Sequence, residues 1–131
     1  MEVLNVIAAA IGAFAFGAVW YIAMAGAWAR AAGVPMDAAG KPQGNGSPMP
    51  FVVGFVAMVI VAGMMRHVFA SAGVVTLGAG VVSGLGIGAF LITPWVAMNY
   101  AFAARPATLT LIDGVNAVVG CAIIGAILTL F

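Results

Sequence analysis

Ionisable side chains are scarce enough in this sequence to be taken one at a time: four Lys or Arg, three Asp or Glu and one His in 131 residues. Asp113 and Asn116 stand three positions apart, one turn along a helix face. A carboxylate beside an amide inside an apolar segment can hold a proton or a cation. The same carboxylate has a structural use, because an acid in such a segment is costly and takes a partner of opposite sign where one is at hand. Arg105 and Arg30 are the candidate partners, and a carboxylate–guanidinium contact within about 4 Å, directly or through one water, is expected. Counted from Pro106 at 1.5 Å per residue, Asp113 lies about 10 Å deep. That depth matches Asn99 and Tyr100. The candidate polar site is therefore Arg30, Asn99, Tyr100, Arg105, Asp113 and Asn116.

His67 with Met64 and Met65 offers imidazole and thioether, the ligand types of Cu(I). Adjacent residues point about 100° apart on a helix, so one face does not gather all three, and a titrating interfacial histidine is the expected state. Cys121 is the single cysteine, which excludes an intrachain disulfide and a Cys-based zinc site. HExxH, the Walker loop and GxSxG are absent. Gly84-Leu85-Gly86-Ile87-Gly88 lies inside an apolar run with no preceding strand, which defeats a nucleotide-loop reading. No catalytic constellation, cofactor site or metal site is expected.

The elements that position these residues follow from composition. The chain is 66% hydrophobic and 5% charged, against about 25% charged in a soluble domain. A soluble fold and a disordered chain are both excluded. A formal net charge of +1 gives no electrostatic footprint for nucleic acid. A spanning helix needs about 20 mostly apolar residues. Such runs cover about 3–29, 51–70, 74–99 and 108–131. The expected fold is all-α: a polytopic integral membrane protein, one membrane domain, built as an antiparallel four-transmembrane-helix bundle with both termini on the same side. Residues 33–50 hold four prolines and four glycines and form the one long loop. Ser71-Ala72-Gly73 forms a tight turn, and Pro106 suits the start of the last helix. A secretory leader is the rival for residues 1–27, with Ala23-Met24-Ala25 as its cleavage site. Glu2, with no Lys or Arg beside it, opposes that reading.

Arg30, Lys41 and Arg105 fall on the long-loop side and Arg66 on the other, so the positive-inside rule places the termini outside. Trp20, Tyr21, Trp28, Trp95 and Tyr100 all cluster toward the long-loop face, as an interfacial aromatic girdle that can also line a site. Gly80, Gly84 and Gly88 form overlapping GxxxG motifs, a groove that lets another backbone approach. Ala13 with Gly17, and Ala122 with Ala126, repeat the small-xxx-small spacing. The first candidate neighbour for the glycine groove is the first helix, through Ala13 and Gly17. The second is the same face of another copy. Thr93-Pro94 predicts a kink near residues 90–94, with Thr93 satisfying freed backbone groups.

Asn5, Gly17 followed by Trp20-Tyr21, Trp28, the run Gly80 to Gly88, Arg105 and Asp113-Gly114 together resemble a bacterial family of small four-helix membrane proteins, domain-of-unknown-function family 1761. The resemblance spans the whole chain and implies a fold and a place in the bacterial cytoplasmic membrane. It implies no activity. The Pro/Gly loop departs from the more charged and helical segment such proteins carry. Three functions fit: a non-enzymatic self-associating or accessory subunit packed through its glycine faces, a small transporter or ion-channel subunit using the Asp113/Asn116 region, and a lipid-binding membrane protein. The partners expected are membrane lipids and either further copies of the chain or a larger membrane complex, with no nucleic acid.

Overall fold

The computed structural model describes residues 1–131 except Asn45. Among the described residues it is all-helical. The helices are α1 (Glu2–Ala23), α2 (Ala25–Ala32), α3 (Met49–Ala72), α4 (Leu77–Ile87), α5 (Thr93–Phe102) and α6 (Ala107–Leu128), with a π-helical turn (Gly88–Ile92) joining α4 to α5. Among the described residues four segments are long and apolar enough to cross a membrane: Glu2–Ala23, Met49–Ala72, Leu77–Phe102 and Ala107–Leu128. They are the four apolar runs of the sequence, with boundaries shifted by a few residues. The first run differs most. Its helix breaks at Met24, whose φ of −100° and ψ of 11° leave the helical region, and the short α2 carries Trp28 and Arg30 onward.

Helix ends follow local chemistry. Gly33 and Gly73 close α2 and α3 in the left-handed conformation, where a Cβ would be strained. The Thr76 side chain accepts from the Ala79 N–H to start α4. The kink expected from Thr93-Pro94 takes the form of the π turn. Pro94 has no N–H to give, and the Thr93 hydroxyl donates to the Gly88 carbonyl at 2.7 Å.

Helix α6 is the centre of the packing. In its most apolar window 39% of the residues are buried, against 17% in the first segment and 11% in each of the other two. The core gathers Ala9, Ala10 and Ala13 of α1, Ala62, Met65 and Phe69 of α3, and Cys121, Ile124 and Leu128 of α6. Small residues on α1 let α6 approach, and dispersion contacts then hold the two together where lipid offers no hydrophobic drive. At one end of the molecule the start of α1, the last turns of α3 and the end of α6 meet. The Asn5 amide and the Arg66 guanidinium both donate to the Leu128 carbonyl, at 3.2 and 3.3 Å, and Arg66 pairs with Glu2 at 3.4 Å.

The partner of the glycine groove is a correction to the sequence reading. Gly80, Gly84 and Gly88 are buried against α6, not against Ala13 and Gly17 of α1. A Cβ on Gly84 would meet the Cys121 carbonyl and lie 2.9 Å from the Ala122 Cα. One on Gly88 would lie 2.6 Å from the Ala117 oxygen, and one on Gly80 would meet the Gly125 carbonyl and the Thr129 side chain. Ala13 and Gly17 also face α6, near Gly120 and Asn116. Helix α6 therefore carries small residues on two faces and is gripped from both sides. The same chain covers the groove that the sequence offers to a second copy.

Candidate functional site

Asp113 lies on α6 toward its N-terminal end and is half-buried. Its oxygens each accept one hydroxyl hydrogen bond: Tyr21 of α1 donates to Oδ1 at 2.6 Å and Tyr100 of α5 donates to Oδ2 at 2.5 Å. Next to Tyr21 in α1, the Trp20 indole N–H donates to the Ile112 carbonyl at 2.9 Å. Three helices are thus pinned at one level. The register of α1 against α6 is fixed twice, by consecutive residues on each helix.

No direct contact between Asp113 and a guanidinium is present among the described residues. Among the described residues the only ion pair is Arg66–Glu2, at the far end of α6. Arg105 is exposed and donates to the Ala32 carbonyl at 3.2 Å, tying the end of α2 to the turn before α6. Arg30 is exposed in the last turn of α2. The reason is geometric. Both arginines sit at or beyond helix ends, where the head group reaches water and peptide carbonyls, whereas Tyr21 and Tyr100 stand on helix faces turned toward Asp113. Two neutral hydroxyls satisfy the acid where a charge was expected.

Around this centre opens a groove of about 1100 Å³ between α1, α3, α5, α6 and the long loop. Ala13, Phe14, Gly17, Ala18 and Tyr21 line it from α1, Trp28 from α2, and Phe51, Gly54 and Met58 from α3. Tyr100, Asp113 and Asn116 form its polar wall, and Gly40, Lys41 and Pro42 of the loop form its lip. Phe14 packs edge-on against Phe55, with ring centroids 5.7 Å apart, and Tyr21 against Trp28, at 6.3 Å. Asn116 lies beside Gly17, 3.2 Å from where a Cβ would stand, and its amide has no hydrogen-bond partner among the described residues. The groove is mostly apolar with a few polar groups at one end, the usual make-up of a small-molecule site.

The lip has a fold of its own. Asp37 Oδ1 accepts from the backbone N–H groups of Ala39 and Lys41, both at 2.9 Å, and Gly40 takes a φ of 77°. An isolated bridge joins Met36 to Pro42. The Asx turn brings Gly40, Lys41 and Pro42 to the groove. Phe14, Phe51 and Met58 are lining residues that the sequence reading did not single out, and Lys41 is one that it used only for orientation. Phe14 does stand four residues before Ala18 and seven before Tyr21, a helical stripe that the sequence offers.

The remaining candidates scatter. Asn99 is exposed, and Trp95 is 66% exposed on the outer face of α5. Trp20 stacks on Phe16 at 6.3 Å. Met65 is buried at 3% exposure while Met64 is 61% exposed, so the two thioethers face different surroundings. His67 and Arg66 line a smaller hollow of about 360 Å³ with Glu2 and Val6, at the end remote from Asp113.

The sequence matches the family described as "Protein of unknown function (DUF1761)" over residues 4–129. The chain belongs to this family. No curated protein and no solved structure matches it. Asp113, Tyr21 and Tyr100, and every lining residue of the groove, fall within the matched span.

Proposed function

We propose that this member of the family is a non-enzymatic, multi-pass protein of the bacterial cytoplasmic membrane that binds an amphipathic ligand in the groove beside α1. One observation carries the reading. A single large groove joins an apolar, aromatic wall of tail-binding character to a carboxylate held by two tyrosines. A lipid-like molecule needs both kinds of surface, one for each end. The glycine face favours a self-associating or accessory subunit only where it is free, and α6 of the same chain covers it. The arrangement has both termini on the outer side of the membrane. Support comes from Asn5 and Arg66 sharing the Leu128 carbonyl, and from Arg66, the lone Arg or Lys at that end, being paired with Glu2.

The test is retention of an alkyl-chain ligand. Ala18 is an exposed lining residue of the groove. Ala18→Trp places an indole in that groove from an exposed position. In native mass spectra from mild detergent, the wild-type protein should keep bound single-chain amphiphile and A18W should bind it at least about tenfold more weakly. Equal retention by both proteins contradicts the reading. A transporter subunit that uses Asp113 and Asn116 is the second reading, favoured by the unpartnered Asn116 amide in the same groove. Flux of the bound amphiphile through proteoliposomes separates it from simple binding.

A further inference from the structure

Among the described residues the groove places an acid among apolar walls with no base in ion-pair contact with it; Arg105, near enough to act on the Tyr100 hydroxyl, does not pair with the carboxylate. Its lining contains Asp113 and Lys41 as its ionisable acid and base, and Lys41 is exposed at the lip with no ion pair to Asp113. Arg105 donates to the Ala32 carbonyl, and Arg30 makes no bond to Asp113. A carboxylate in a membrane span is ordinarily matched by a partner of opposite sign. Here the partners are two hydroxyls, which orient the carboxylate and supply no charge. A carboxylate has about four lone-pair sites. With one bond to each oxygen, acceptor capacity remains on both. Tyr21 and Trp28, packed edge to face at 6.3 Å, stand on the same wall. Aromatic faces attract organic cations, and most strongly where water is excluded.

We propose that the ligand is an organic monocation with an apolar tail, its ammonium group set between Asp113 and the Tyr21–Trp28 pair and its tail along Phe14, Gly54 and Met58. The inference rests on the ligand reading of the groove and adds the sign of the charge. It follows from the mismatch between a carboxylate that is hydrogen-bonded on both oxygens and a site with no counter-charge in contact with it. The ligand completes the pair that the chain leaves incomplete.

Two photoactivatable probes of equal chain length test it, each with a diazirine in the alkyl tail. One ends in trimethylammonium and the other in the uncharged group with carbon in place of nitrogen. Both are presented to the whole chain in nanodiscs of zwitterionic lipid, so that the bilayer does not concentrate the cation, and labelled residues are mapped by mass spectrometry. The cation should label the groove segments around residues 13–28 and 51–58 at least about tenfold more tightly than its neutral isostere. Asp113→Asn, which keeps an acceptor for one tyrosine, should bring the two probes within about twofold of each other. Equal labelling of the wild-type groove by both probes overturns the cation assignment and leaves the ligand reading standing. Failure of both probes to label the groove overturns the ligand reading, and this inference with it. A cation preference that persists in folded D113N assigns the selectivity to the aromatic wall and overturns the role given to Asp113. If D113N does not fold, the wild-type comparison still decides.

Discussion

Replacing Gly84 by alanine places one methyl group against the backbone of α6. The added Cβ would lie 2.7 Å from the Cys121 carbonyl carbon and 2.9 Å from the Ala122 Cα, and would meet the Cys121 oxygen. Carbon atoms pack at about 3.5–4.0 Å, so α4 and α6 must separate by roughly 1 Å, and backbone cannot rotate away as a side chain does. Overpacking of this kind costs about 1–3 kcal/mol. Exchanging glycine for alanine inside a helix returns about 0.5–1 kcal/mol. The net expectation for G84A is a loss of up to about 2.5 kcal/mol. Gly86 lies two residues on in the same helix, and a Cβ there meets nothing within 4 Å. Gly86→Ala keeps the propensity gain alone and should be neutral or stabilising by about 0.5–1 kcal/mol. Equilibrium unfolding of both variants in one mixed-detergent series reads the difference. If G84A proves as stable as G86A, the glycine face does not bear on α6, and α6 is not the helix that closes the groove.

Tyr21→Phe and Tyr100→Phe each remove one hydroxyl from Asp113 and should cost about 0.5–1.5 kcal/mol in the same unfolding assay. Their sum should fail to add in the double variant, since both donors serve one carboxylate. Thr93→Val keeps the shape but removes the donor to the Gly88 carbonyl, and amide exchange in the Gly88–Ile92 turn should quicken while that of α6 stays unchanged. A cysteine at Ser47, on the long-loop side, should resist an impermeant thiol reagent in intact cells. Ready labelling from outside would reverse the orientation.

The spans were readable because a bilayer-length apolar run is a bulk property, insensitive to any one contact. The partner of the glycine groove was not. Ala13/Gly17, Ala122/Ala126 and Gly80/Gly84/Gly88 share one spacing, and spacing does not rank pairings. On α6, Gly114 and Gly125 meet Thr93 and Gly80 while Gly120 meets Ala13, so the small residues of that helix serve two faces and decide the matter in three dimensions. Tyr100 already stood in the candidate polar site, whereas Tyr21 was visible only as an interfacial aromatic, and that reading concealed its hydroxyl. The rule that charge seeks charge favoured Arg105, yet a side chain at the end of a helix finds peptide carbonyls first, as Arg105 finds Ala32. The break at Met24 carries no proline or glycine of its own and left no mark in the sequence. The Asx turn that brings Lys41 to the groove depends on Asp37 bonding two later N–H groups, a geometry that composition does not contain.

An amphipathic ligand in the groove between α1, α3 and α6, with its polar end at Asp113, is tested most directly by intermolecular nuclear Overhauser effects. The ligand is a protonated alkyl trimethylammonium in perdeuterated detergent, and the protein is labelled at its methyl groups and tyrosine rings. Contacts are expected from the alkyl chain to the Ala13, Ala18 and Met58 methyls, and from the N-methyl groups to the Tyr21 ring. Contacts confined to outward-facing methyls such as Val19, Ile60 and Val82 would contradict the groove as the binding site.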